Sequence, residues 1–113
     1  MSADLVAKLD GILESGRDAD DVLRGVVSSL AAEPAIAWAG IFFLDDGALV
    51  LGPEAGTQDP ASRVVAPVSY QHAPVGELAA DGAVEVALLE HVAARIATHV
   101  LLGWDTGGES WDP

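Results

Sequence analysis

The chain has 113 residues, half of them apolar, and 18 acidic residues against 5 basic ones give it a net charge of −13. That length supports one folded domain with its own core. The charge disfavours nucleic acid and anionic membrane surfaces as partners. The absence of cysteine excludes disulfides, thiolate nucleophiles and thiolate metal sites. The opening MSADLVAKLDGILES lacks the basic and apolar regions of a signal peptide, and no apolar run reaches the roughly 20 residues of a membrane span. A cytoplasmic protein is expected. Its acidity, with Lys8 as the single lysine, suits a salt-rich cytoplasm and equally the codon usage of a GC-rich genome.

In chain order, Leu5, Val6, Leu9, Ile12 and Leu13 recur at helical spacing, with Ser2 as a candidate cap and Gly16 as a stop. Asp18 is placed to cap a second helix, with Asp20 and Asp21 in its first turn and Val22, Leu23, Val26, Val27 and Leu30 as its buried stripe. Residues 36–44, IAWAGIFFL, are apolar at every second position on both faces, as in a strand covered on two sides. Asp45-Asp46-Gly47 reads as a hairpin turn into ALVLG. Two more strands are predicted at 63–69 and 73–80, around a Tyr70-Gln71-His72 turn. Asp81-Gly82 opens the last helix, striped by Val84, Leu88, Leu89, Val92, Ile96, Val100 and Leu101 and stopped by Gly103. The order ααββββα predicts an α+β domain over 1–103, an antiparallel sheet with two N-terminal helices and one C-terminal helix packed on it, followed by an acidic tail at 104–113.

WAGIFFLDDGALVLGP at 38–53, SRVVAPVSY at 62–70 and PVGELAADG at 74–82 resemble the GAF domain, and within it the free-methionine-(R)-sulfoxide reductase branch. That branch shows a Trp-x-Gly-x-Tyr/Phe strand, a Leu-x-Leu-Gly-Pro strand end, a Ser-Glu-Ile-Val-Val-Pro-Ile strand and a Gly-Val-Leu-Asp-Ile-Asp-Ser strand, in this order. The resemblance implies a GAF-like sheet whose segment between the second and third strands is usually several times longer and roofs a ligand pocket. Here Glu54 to Ser62 replaces it, so the lid reads as deleted.

The resemblance also implies reductase chemistry, which this chain cannot supply. The branch needs cysteines in the missing segment to attack the sulfoxide and resolve a disulfide. Its carboxylate after the motif Ser falls on Arg63, a reversed charge, and the first carboxylate of its Asp-x-Asp pair falls on Ala79, leaving Asp81. No catalytic residue is assigned. Asp81 reads as the cap of the last helix, and Arg63 as a solvated strand-edge residue or a partner for the acidic surface.

Other constellations point to packing. His91, Arg95 and His99 fall on one helix face, but Arg95 sets a cation between the imidazoles, so a polar stripe is favoured over a metal site, with a helix pairing across a dimer, against acids of the partner's first helix, as a middle reading. His72 falls in a turn and is expected to be solvated. Ser28, Ser29, Ser62 and Ser69 lack a nucleophile-elbow context, and phosphate-binding glycine motifs are absent. No metal or cofactor is expected.

With the lid gone, the outer sheet face (Trp38, Phe42 and Leu44, against Ala37, Ala39, Ile41 and Phe43 on the inner one) would stay apolar and open in a monomer. A second copy, a protein partner, a ligand or the tail should cover it. Two tail tryptophans, Trp104 and Trp111, are candidate docking anchors, against a tail folded back or without a role. Two functions follow: a non-catalytic module acting through protein contacts, as a homodimer or a regulatory partner, or a small-molecule sensor with a reduced pocket near Trp38, Phe42, Val65 and Val75.

Overall fold

The computed structural model describes residues 3–15 and 18–104. Its elements run α1 (Ala3–Leu13), α2 (Ala19–Ala31), β1 (Ile36–Asp45), β2 (Ala48–Gly56), a single 3-10 turn (Pro60–Ser62), β3 (Arg63–Tyr70), β4 (Ala73–Gly82) and α3 (Val86–Trp104). The four strands form one antiparallel sheet in the order β2-β1-β4-β3, as the alternation of short strands and turns dictates. Each edge strand carries a proline, Pro53 and Pro67, which withholds a donor from any further strand.

Both hairpins close in two residues with left-handed backbone. Asp46 and Gly47 have φ of 51° and 81°, and Gln71 and His72 have φ of 50° and 68°. This primed turn matches the twist of the strands it joins. The first sequence supplies it cheaply; the second accepts two side chains in a region they disfavour.

Helices α2 and α3 lie on one face of the sheet, α2 over β1 and β2 and α3 over β3 and β4, with α1 packed on α2. The core between the layers takes Leu23, Val26 and Leu30 from α2, Leu89, Ile96 and Val100 from α3, and Ala39, Ile41, Phe43, Val68, Leu78 and Ala80 from the sheet, all essentially buried. These are the predicted helical stripes meeting every second residue of the strands.

Several boundaries differ from the sequence reading. α3 begins at Val86, not at Asp81-Gly82, because β4 runs on through Gly82. Val84 therefore precedes the helix, and Gly103 lies inside it, which moves the helix end past the predicted domain limit. β2 continues to Gly56 rather than stopping at Gly52, carried past Gly52-Pro53 by an irregularity in its pairing with β1. Asp18 occupies the N-cap position of α2, yet its side chain makes no capping bond; its backbone carbonyl accepts the Val22 N–H at 3.0 Å. Ala37 is exposed, not on the inner face, because a register shift between Ile36 and Trp38 turns it outward. Ser2, Gly16 and the tail at 105–113, including Trp111, lie outside the described residues.

Candidate functional site

Strand pairing lays the outer sheet face out in rows. Trp38 on β1 lies opposite Asp81 on β4, which lies opposite Arg63 on β3. The next row is Glu54, Gly40, Ala79 and Val65, and the next Leu51, Phe42, Glu77 and Pro67. Side chains across a row point to the same face. The three residues that the family resemblance singled out, Trp38, Arg63 and Asp81, thus meet in one row.

The Trp38 indole lies over Gly40, where any Cβ would collide with the ring. A glycine is needed there so that the backbone can floor the ring. The ring is fully buried, and its Nε1–H donates to Glu54 Oε1 at 2.8 Å. The Arg63 guanidinium sits over it, with Cζ 4.4 Å from the ring centroid, a cation–π contact. Phe42 meets Trp38 edge-on, with centroids 6.4 Å apart.

Arg63 is in turn fixed by Asp81. Its Nε donates to Asp81 Oδ1 at 2.8 Å and its Nη2 to Oδ2 at 3.0 Å, a two-point pair. The Asp59 backbone N–H donates to the same Oδ2 at 2.7 Å, and Arg63 Nη2 also reaches Gln58 Oε1 at 3.1 Å. The connection at 57–62 is tied down along its length, since Thr57 N–H donates to the Ala37 carbonyl at 2.9 Å and Ser62 Oγ to the Asp59 carboxylate at 2.9 Å. The few residues left between β2 and β3 therefore fold onto the end of the sheet face.

Both sequence readings of this pair need correction. Asp81 is a fully buried strand residue and caps no helix; Arg63 is its partner and is only partly exposed. The hydrogen bond from Arg63 holds the Asp81 carboxyl below the usual carboxylate range, against the opposing pull of burial, and the Asp59 N–H adds to the lowering. The same bond keeps Arg63 firmly protonated. Chemically the cluster is saturated. The ionised carboxylate accepts three hydrogen bonds, from Arg63 Nε, Arg63 Nη2 and the Asp59 N–H, and the guanidinium cannot give up its proton.

The four candidate pocket residues do not form one pocket. Trp38 is buried beneath Arg63, Phe42 is half-buried, and Val65 is 42% exposed on the open face. Val75 packs against the helix-covered core. A groove of about 440 Å3 lies between α1 and α2, lined by Lys8, Gly11, Ile12, Asp21, Ser28 and Ser29 among others, away from the sheet.

The α3 stripe resolves as packing. Arg95 donates to Asp10 of α1 at 2.7 Å within the chain, so this first-helix acid is met without the dimer pairing that the sequence reading invoked. His91 is exposed, while His99 is half-buried with Nδ1 unpartnered. The carboxylates of Asp18, Asp20 and Asp21 lie within 4.8 Å of one another at the start of α2, an acidic helix start favoured by the dipole. Trp104 ends α3, but its side chain lies outside the described residues. Sequence reading missed Glu54, Gln58 and Asp59. The only signal for them was polarity in a segment tied by the resemblance to the pocket.

No protein-family model and no curated protein matches the sequence. Solved structures do match the fold. The GAF domain of Acinetobacter phosphoenolpyruvate-protein phosphotransferase superposes with a TM-score of 0.71 at 15% identity, covering 95% of this chain and 98% of that one. Free methionine-R-sulfoxide reductase from Neisseria meningitidis, in complex with its substrate, gives 0.72 at 14% identity over 93% and 95% of the two chains. The Staphylococcus aureus enzyme with its substrate gives 0.67 at 14% identity over 88% and 97%. The fold is GAF-like, an α+β domain of three helices on a four-stranded antiparallel sheet. No described helix is long and apolar enough to cross a membrane.

Proposed function

We propose that this chain is a non-catalytic GAF-like module that acts through protein contacts. The observation that carries the reading is the self-occupied sheet face. Arg63, locked to the buried Asp81, covers Trp38, and the 57–62 connection closes over the end of the sheet. A ligand entering over Trp38 would have to displace a two-point ion pair and leave a carboxylate buried without its partner, which is costly. The absence of cysteine removes the redox couple that sulfoxide reduction by the resembling enzymes would need.

The reading is tested by two measurements on one preparation. An assay with free methionine-(R)-sulfoxide and a thiol reductant should give no turnover above buffer; turnover abolished by a single point mutation would sink the proposal. A thermal-shift screen with nucleotides and small metabolites should leave the melting temperature unmoved, since a ligand of the native state raises it by mass action. A hit would favour the small-molecule sensor instead, with the α1–α2 groove as the first place to look.

A further inference from the structure

The part of the outer face beyond the Arg63–Asp81 row stays open. Leu49 is 45% exposed there, Val65 and Pro67 are exposed, and Phe42, Leu44 and Leu51 are half-buried. Glu77 stands in the middle of this apolar ground, opposite Phe42 on one side and Pro67 on the other. It is half-buried, yet its carboxylate makes no hydrogen bond or ion pair with any described residue. The other charges nearby are also acidic, Asp45 and Asp46 at the β1–β2 turn and Glu54 bound to Trp38. Among the described residues the one Lys or Arg on this face, Arg63, is committed to Asp81, and Lys8, Arg24 and Arg95 stand on the helices.

From this charge pattern we infer that the outer face docks a basic amphipathic segment of a partner protein. Its apolar side chains would seat on Phe42, Leu44, Leu49 and Leu51, and an Arg or Lys would reach Glu77. This rests on the module reading above. A carboxylate on apolar ground without a counter-charge is free to receive a cation, which gains a charge-assisted hydrogen bond there. The same pattern counts against the other occupants. A second copy would bring a further net charge of −13, and the chain's own tail, with Asp105, Glu109 and Asp112 and no basic residue, would set acid against acid. Like charges across an interface are penalised.

The test uses the full chain and two synthetic peptides, one alternating Lys and Leu and the other with Glu in place of each Lys, titrated by calorimetry at low and physiological salt. The Lys–Leu peptide should bind, more weakly as salt rises, and the Glu–Leu peptide should not. Glu77→Lys should weaken binding about tenfold, the size of one charge-assisted hydrogen bond. Leu49→Ser, at an exposed edge position that the fold does not depend on, should weaken it severalfold. Asp21→Lys, on the helix layer, should leave it unchanged. Equal binding of both peptides, or an equal loss in Asp21→Lys and Glu77→Lys, overturns the proposal, because attraction would then be unspecific. A dimer mass by light scattering that grows with salt and is lost in Leu49→Ser also overturns it in favour of a second copy, while leaving the module reading intact. A metabolite hit in the thermal screen is the separate result that defeats the module reading itself.

Discussion

Phe42 and Phe43 are adjacent in sequence and stand on opposite faces of β1. Phe43 is fully buried under the helices; Phe42 is half-buried on the outer face, edge-on to Trp38. Around Phe43 the partners are apolar side chains from both layers. Around Phe42 the cover comes from polar chemistry: an indole bonded to Glu54, an arginine locked to Asp81 and a short connection pinned to the sheet end. One face is closed by area removed from water, which is non-directional and tolerant of detail. The other is closed by directional bonds, which fail together when one partner is lost. A strand apolar on both sides therefore does not require two helical layers. A single ion pair over a tryptophan can seal one end of the second face, and the rest stays open.

The largest effect that would break this comparison lies in the two phenylalanines. Phe43→Ala should cost about 3–5 kcal/mol, the usual range for a buried aromatic truncated to Ala. Phe42→Ala should cost roughly 1–2 kcal/mol, since only part of its surface leaves water. Denaturant melts of both variants check this, and equal losses would mean that the outer face is as deeply packed as the inner one.

Next in size is the ion pair. Arg63→Met keeps most of the volume over Trp38 but leaves Asp81 buried without its cation. We expect a loss of about 3 kcal/mol, at the lower end for a broken buried pair because Arg63 itself keeps 23% exposure. The acid limb sharpens the point. Asp81 has its native pKa lowered by the Arg63 hydrogen bond, so its stabilisation is present above the unfolded carboxylate pKa of about 4 and is lost as pH falls through the lower native value. In Arg63→Met burial dominates instead and the carboxyl rises above its unfolded value, so the penalty of the buried charge is relieved, and stability regained, as pH falls through the raised native pKa. The gap between the two proteins in thermal melts should therefore narrow from neutral to acid pH; parallel curves would show that the pair contributes nothing.

The smallest effect belongs to the helix layer. Burial holds His99 below its ordinary pKa, so the unfolded chain takes up a proton at this residue before the folded one does. Stability should fall as pH drops below about 6.5, the unperturbed histidine value. His99→Gln should flatten that part of the profile, a shallow change that leaves the outer face untouched.

Much of this was legible in the sequence. The helical stripes, the alternation of 36–44 and the Asp46-Gly47 turn determined the element order, the antiparallel sheet and the inner core, because periodicity and turn chemistry are local properties that each segment carries alone. The motif residues Trp38, Arg63 and Asp81 were also singled out from sequence, but with the wrong roles for two of them. Asp81 before a glycine, a few residues ahead of a helical stripe, has the local signature of a cap, and an arginine at the start of a strand that of a solvated edge. What reversed both readings is register. β1 and β4 place Trp38 against Asp81, β3 and β4 place Arg63 against the same residue, and the irregularity at Gly52-Pro53 advances β2 so that Glu54 comes within reach of the indole. Val75 left the candidate pocket for a related reason, its strand being irregular next to it where Val68 and Ser69 pair with Gly76 and Pro74. A shift of one residue moves a side chain to the other face of a sheet. Such shifts are set by how three distant segments pair, and so they were decided only by the tertiary structure.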